Sequence, residues 1–436
     1  MMDRYDVLVV GGGTAGVVAA IQSGRAGART LLVEKNGMLG GTMTVGGVNY
    51  PALFYAWGRQ VIAGIGWELV TATLAETGGQ LPDFSDAQAP HWRHHVRIDK
   101  AVFAALADEA VLDAGVEMLL HTMIGGVEWN GDGWDVTLCT KSGLQPVRCR
   151  VLIDCTGDAN AVALAGFPVD QPDECQPGTL TFRIGGYDAD ALDMERISDA
   201  YKAAVREGVL SESDLWQGLG AAPGFLRARG GNANHVCGIH AAGSEERTQA
   251  EVEGRRVVMR LFRFFRSQPG LEGLRIDDLC PEVGIREGGI IRGKKTITHD
   301  DYWGGRLWDD AVCYSFYPID LHLPVGVDTR RLPEGVVPTI PRGAMLPEGS
   351  RGLVAAGRCI SGDRLAHSAY RVEATCMATG QAAGAMAALS ADGGLDVEAL
   401  PIGDVHDLLR AHGAIVPELP GARSPHTAEV HHGGAR

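Results

Sequence analysis

Residues 5–34 read YDVLVVGGGTAGVVAAIQSGRAGARTLLVE. Residues 5–10 are a short apolar run rich in β-branched side chains, the pattern of a buried parallel strand. The run enters Gly11-Gly12-Gly13-Thr14-Ala15-Gly16, after which the Ala-rich residues 17–26 predict a helix. Gly11 permits a tight strand-to-helix turn, Gly13 lets the backbone approach a pyrophosphate, and Gly16 lets helix and strand pack closely. Phosphates would sit on the helix N-terminus, at Thr14 and Ala15, where unpaired N–H groups and the dipole favour an anion. A second apolar strand, residues 30–33, ends at Glu34, 18 residues after Gly16. An acid there accepts hydrogen bonds from both ribose hydroxyls of an adenosine. Glycines alone are a weak signal. Strand, glycines, helix, strand and acid in this order and at these intervals predict a dinucleotide site in a Rossmann-like α/β domain.

The rest of the chain bounds what such a domain can belong to. Its 436 residues are enough for two or three domains, and with 45% hydrophobic and 21% charged residues it has ordinary globular composition. A net charge of −15 makes nucleic acid a poor partner. The nine cysteines are scattered, with no C-x-x-C pair, which reads as reduced thiols and removes both a zinc ribbon and a dithiol couple. The first residues lack the pattern of a cleavable signal, and no run approaches the ~20 apolar residues of a membrane span, so a cytoplasmic protein is expected. Residues 420–436, with few large apolar groups, read as a loose tail.

After Glu34 comes Lys35-Asn36-Gly37-Met38-Leu39-Gly40-Gly41-Thr42, a glycine-rich loop instead of another β-α unit. Here the chain resembles the glutathione-reductase-type FAD-binding fold, in which such a loop, here carrying Lys35, Gly40, Gly41 and Thr42, runs along the flavin side of the cofactor. A helix over residues 98–115 and a strand over 116–120 lead into three short strands, around 126–129, 134–140 and 147–154. Asn130-Gly131-Asp132-Gly133 marks a hairpin turn. A small β-meander of this kind is a feature of the resembled fold. The last strand runs into Asp154-Cys155-Thr156-Gly157-Asp158, where the resembled flavoproteins carry an A-T-G-D-like turn beside the cofactor; Cys155 replaces the usual Ala. That implies roles for Thr156, Gly157 and Asp158.

The resemblance recurs near the C-terminus. An apolar strand over 352–356 leads to Gly357-Arg358-Cys359-Ile360-Ser361-Gly362-Asp363, and a helix rich in small residues follows from 373 to 389. In the resembled fold such an Asp, here Asp363, binds the ribityl chain, with Gly357 and Arg358 beside it. The helix points its N-terminus at the flavin pyrimidine, and small residues such as Ala374 and Thr375 permit close approach. With the segments 281–287 and 315–322, the chain is similar to the broad FAD-dependent oxidoreductase family, and in layout to the fumarate reductase flavoproteins. The resemblance covers about residues 5–390. It implies an FAD-binding domain in two parts, residues 1–168 and 341–395, interrupted by a mixed α+β substrate domain, 169–340, with an extension and tail over 396–436.

One glycine motif follows a strand, so a second nucleotide domain is not expected. The reading is an FAD enzyme that oxidises a polar small molecule by hydride transfer to flavin N5, with an unspecified electron acceptor and an assembly of identical chains (a homo-oligomer) left open. Rival readings are an NAD(P)H-fed reductase or monooxygenase and, from the arginine-rich helix 245–265, an RNA-modifying flavoprotein. A base must take the substrate proton. His367, between the ribityl segment and the flavin-facing helix, and His322, in a β-rich segment with Tyr317 and Asp320, are candidates. Arg286, Arg292 and Arg371 could hold a carboxylate or carbonyl. No metal is expected: His91-Trp92-Arg93-His94-His95 lacks an acid or Cys shell and reads as a solvated loop.

Overall fold

The computed structural model describes residues 3–240 and 243–419; the expected tail over 420–436 lies outside the described residues. Its fold is of the α/β class, with a largely parallel Rossmann-like sheet joined to smaller antiparallel ones. Strand Asp3–Val10 sits at the centre, with Thr30–Val33 on one side and Gly143–Asp154 on the other, both parallel. Glu117–Leu119 extends the first side and Leu353–Ala355 the second, so the segment from near the C-terminus closes the same sheet. Gly143–Asp154 is twelve residues long because it serves three neighbours, Asp3–Val10 among them. Its first part pairs antiparallel with Trp134–Thr140, completing the meander with Met123–Trp129, while its last residues pair with Leu353–Ala355.

Helices Thr14–Arg25 and Glu373–Gly393 pack on each other beneath this sheet through small residues. A Cβ on Gly380 would lie 2.1 Å from the Ala15 carbonyl oxygen, and one on Gly384 2.3 Å from that of Ala19. Both helices are buried nearly all round, which explains why they are Ala-rich and carry little amphipathic pattern.

A second hydrophobic core runs from Leu180 to Ile285 in sequence. It contains strand Phe182–Gly185, paired antiparallel with Gly230–Gly231 and Arg275–Leu279, and helices Met194–Arg206 and Ser244–Arg266. Ile297, Tyr302, Val312, Tyr317, Ile319 and Ile340 instead join the main core with residues of the first glycine helix. The chain enters and leaves the second region side by side: Val169–Asp170 pairs antiparallel with Ile290–Ile291. Helix Ser244–Arg266 buries Ala250, Gly254, Val257, Val258, Leu261, Phe264 and Phe265. Its Arg260 lies 2.7 Å from buried Asp214 and 3.0 Å from Glu253, and Arg255 and Arg256 face Glu251 and Glu253. Among the described residues no helix is long and apolar enough to cross a membrane, and no group of three or more His, Cys, Asp or Glu could hold a metal ion.

Candidate active site

The three motif glycines differ in what surrounds them. Gly11 has φ +98°, and a Cβ there would lie 2.4 Å from the Cys155 carbonyl oxygen. A Cβ on Gly16 would lie 1.8 Å from the Gly11 carbonyl oxygen, so the helix rests on the strand end only because that position is glycine. A Cβ on Gly13 would meet no protein atom within 4 Å. Gly13 faces a cavity of about 1690 Å³ and is the N-cap of helix Thr14–Arg25, with no side-chain cap bond. The first N–H groups of the helix are thereby left for a ligand. The cavity exceeds the ~300–1,000 Å³ of an ordinary small-molecule site, leaving room for a dinucleotide and a second molecule.

Thr14, Ala15, Glu34, Lys35, Gly41 and Thr42 line the same cavity. Both Glu34 oxygens already accept backbone N–H bonds, from Gly12 at 2.6 Å and Asn36 at 2.8 Å. Burial raises the Glu34 carboxyl, and those two bonds oppose the rise. Gly40 stands behind the loop: it has φ +103° and donates its N–H to the Gly12 carbonyl at 2.8 Å, which folds the loop back onto the glycine turn. Thr156, Gly157 and Asp158, just after strand Gly143–Asp154, line the cavity with Gly357 and Arg358 beside the glycine turn, where a Cβ on Gly357 would lie 3.0 Å from that of Ala15. Arg358 Nη1 lies 2.9 Å from Asp158 Oδ1, yet neither atom has an aligned hydrogen bond, so both retain capacity for a ligand.

Three expected flavin contacts lie off the cavity. Asp363 caps helix Arg364–Tyr370, accepting from the Ala366 N–H at 2.9 Å and the His299 N–H at 2.5 Å. Ala374 and Thr375 face inward, Thr375 Oγ1 lying 2.9 Å from Ser315 Oγ; Glu373 and Cys376 line the cavity from that helix. Of the expected reaction residues, His367 is fully buried behind the wall, its Nε2 2.9 Å from the Arg358 carbonyl oxygen. Burial drives that ring down to about 3, so it packs as a neutral histidine. Arg292 is a surface residue paired with Asp170 at 2.6 Å, beside the two-strand crossing.

His322, Tyr317 and Arg371 do line the cavity, together with Arg286. Strand Ile319–His322 puts Asp320 and His322 on one face, because alternate strand residues point the same way. Their side chains meet at 3.3 Å, and Arg371 lies 3.7 Å from the same Asp320 oxygen. Burial opposes ionisation of Asp320, but His322 and the two guanidiniums outweigh it and hold the carboxyl at about 2. Arg286 is anchored from behind by the Pro177 carbonyl at 2.7 Å, Thr179 Oγ1 at 2.9 Å and Asn232 Oδ1 at 3.2 Å. Burial, then the nearby Arg371, pulls it to about 10, so it stays charged at neutral pH. Arg371 is held by Gln176 Oε1 and the Asp320 carbonyl, each at 3.3 Å, while its Nε has no partner.

Other groups escaped the sequence reading. His91 and His95 are half-buried and line the cavity, which corrects the solvated-loop expectation. His95 stacks on Tyr50 (5.5 Å, 4°) and on Tyr317 (6.1 Å, 20°), and the Tyr317 hydroxyl lies 3.3 Å from His95 Nε2. His235 lies behind His322, with Nε2 2.9 Å from His322 Nδ1. Glu373, in the first turn of its helix, is raised to about 7 by burial.

A glycine turn feeding an unprotected helix N-terminus, an acid closing the next strand and a wall built from two further strand ends define a dinucleotide-binding α/β enzyme. The chain belongs to the FAD dependent oxidoreductase family, whose model matches residues 6–409. It is an FAD-dependent oxidoreductase, and the open space at Gly13 with the unmet Asp158 and Arg358 atoms fits that cofactor. Dihydrolipoyl dehydrogenase 3 of Pseudomonas aeruginosa is 30% identical over 178 residues, 39% of this chain and 34% of that one. Digeranylgeranylglycerophospholipid reductase 2 of Methanothermobacter thermautotrophicus is 26% identical over 194 residues, 44% of this chain and 50% of that one. These matches span half or less of the relatives' own length. A geranylgeranyl bacteriochlorophyll reductase-like structure from Thermoplasma acidophilum aligns with 94% of this chain and 84% of its own, at 14% identity and a TM-score of 0.43.

Proposed function

We propose that this enzyme oxidises a polar small molecule bearing a carboxylate or similar oxyanion, by hydride transfer to FAD. The observation that carries the reading is the pair Arg286 and Arg371, lining the same cavity as the glycine turn. Arg286 is pinned from behind by three acceptors and Arg371 keeps an unpaired Nε, so both guanidiniums are pre-oriented donors for a planar anion. FAD, when bound, supplies the two-electron acceptor. Thr14, Ala15 and the N-terminus of their helix would receive its pyrophosphate, and Glu34 its adenosine ribose. Asp158 and Arg358, lining the same cavity with unmet polar atoms, would take its remaining polar groups.

The chain's own chemical work is then to orient the anion on the arginines and to remove a proton from the oxidised carbon's oxygen or nitrogen. His322 is the group for that step: it lines the cavity, and Asp320 at 3.3 Å stabilises the imidazolium that forms. Tyr317, stacked against His95, shapes the wall beside it.

The test is anaerobic. Purified holoenzyme is mixed with hydroxy acids, amino acids and amines lacking a carboxylate, and flavin absorbance is followed. Bleaching by one or more anionic donors, lost in Arg286→Gln, is the expected result. Bleaching by NADH or NADPH with none by any anionic donor would replace this reading with the nicotinamide-fed one.

A further inference from the structure

Two charged groups of the cavity lack an oppositely charged partner among the described residues. Arg286 is buried and donates to neutral acceptors alone, the Pro177 carbonyl, Thr179 Oγ1 and Asn232 Oδ1. Glu373 lines the same cavity, and its carboxyl bonds its own backbone N–H. The two stand close together. Helix Glu373–Gly393 starts against residue 52, because the Ala374 N–H donates to the Ala52 carbonyl at 3.3 Å. Two residues earlier, the Tyr50 hydroxyl accepts from Asn232 Nδ2 at 2.7 Å, and Asn232 Oδ1 in turn accepts from Arg286 at 3.2 Å. The charges of Arg286 and Arg371 both reach Glu373, and the Glu373 charge reaches Tyr50 and Tyr317. All five side chains line one space.

The other acid of this space is already engaged: Asp320 lies 3.3 Å from His322 and 3.7 Å from Arg371. The ring wall offers Glu373 no cation, since burial keeps His91 and His95 uncharged at neutral pH. A carboxylate withdrawn from water without a partner is costly, and burial accordingly raises Glu373 to about 7 in the ligand-free protein. A plain anion seated on the guanidiniums makes that worse. It cancels the charges that favour the carboxylate and sets a like charge beside it. An ammonium group removes the cost, because a charge-assisted N–H···O bond shielded from water is among the stronger polar contacts. The complement of an unpaired guanidinium beside an unpaired acid is a zwitterion.

Resting on the oxyanion reading above, we propose that the substrate is an α-amino acid, its carboxylate on Arg286 and Arg371 and its ammonium group on Glu373. Glu373 is then the residue that selects an amino acid over the hydroxy acid of the same skeleton. Arg371 and Glu373 lie two residues apart across the turn into the helix. The two charged groups of an α-amino acid are likewise close, being attached to one carbon.

The probes are pairs that share a carbon skeleton: alanine and lactate, phenylalanine and phenyllactate, glutamate and 2-hydroxyglutarate, all in both enantiomers. Each is titrated anaerobically into the holoenzyme at pH 7, and the concentration giving half of the flavin bleaching or spectral shift is read. In at least one pair the amino acid is expected to bind about tenfold tighter or more, as one charge-assisted hydrogen bond allows. Glu373→Gln is expected to bring that ratio below about threefold while hydroxy acid binding is retained. Glu373→Asp, which keeps the charge, is expected to preserve the preference. Ratios below about tenfold in every pair overturn the proposal and leave the oxyanion reading standing. A preference that stays above about threefold in Glu373→Gln places the ammonium group elsewhere and also overturns it. Loss of flavin from both variants does the same, by making Glu373 a cofactor residue. No response to any of these compounds up to ~50 mM overturns both readings.

Discussion

Gly13 and Gly16, three residues apart in one turn, make opposite demands on a methyl group. A Cβ at Gly16 would stand 1.8 Å from the Gly11 carbonyl oxygen, where ordinary contact begins at 3.4 Å, so backbone must move by roughly 1.6 Å. Gly16→Ala is therefore expected to lose ~3 kcal/mol or more of stability with or without cofactor. A Cβ at Gly13 touches no protein atom, so Gly13→Ala costs the apoprotein no more than the ~1 kcal/mol of a poorer N-cap. Its methyl group projects into the space assigned to the pyrophosphate, at an overpacking cost of about 1–3 kcal/mol, which weakens FAD about five- to 150-fold at 1.4 kcal/mol per decade. Urea unfolding of apo and FAD-saturated protein, with flavin fluorescence quenching for the dissociation constant, separates the two effects. At a cofactor concentration 100 times the wild-type constant, FAD adds about 2.7 kcal/mol to the wild type and about half that to a tenfold weaker variant. Wild-type FAD affinity in Gly13→Ala, or an apoprotein as damaged as that of Gly16→Ala, would refute the placement of the pyrophosphate.

Asp363→Ala removes the acceptor for two backbone N–H groups and is expected to cost ~1–2 kcal/mol in unfolding experiments while flavin occupancy stays full; loss of flavin at unchanged stability would restore a ribityl role. Arg371→Lys should raise the donor concentration needed for half-maximal flavin bleaching at least tenfold, because its planar fork is lost, whereas Arg292→Ala, on the surface beside Asp170, should leave bleaching unchanged. If the two variants behave alike, the arginine assignment fails. Glu373, raised by burial from 4.5 to about 7, makes the apoprotein lose stability as pH climbs from 4.5 through 7. Glu373→Gln should match the wild type near pH 4 and exceed it above pH 7, by up to about 3 kcal/mol. Urea midpoints that stay parallel from pH 5 to 8 would refute that.

The cofactor half was legible because its residues are local. A strand, a turn and a helix N-terminus are contiguous, so Gly11, Gly13, Gly16 and Glu34 carry their positions in their spacing. Helix Ile65–Thr77 carried no such pattern: it opens after Gly64 at φ +87° and is apolar on more than one face. The proposed substrate end is assembled across long separations. His235 meets His322 over 87 residues and Asn232 meets Tyr50 over 182, distances at which no periodicity survives. Asp363 caps a helix, and in sequence an aspartate after a glycine turn looks the same whether it caps a helix or holds a ligand. His367 sits near the cofactor in sequence order but faces the Arg358 carbonyl, a direction set by helix phase. Glu373 went unremarked because an acid in a helix's first turn is ordinary; its burial is a tertiary fact.

The two-strand crossing at Val169–Asp170 and Ile290–Ile291 sets the ends of a long excursion side by side. The strands of the parallel sheet all lie outside that excursion in sequence, and the excursion returns to their side at Glu282 beside Lys35, Asn232 beside Tyr50 and Asp278 beside Lys100. Arg286 lies inside that excursion and Arg371 outside it, so a change in the excursion moves one guanidinium against the other while the sheet keeps its register.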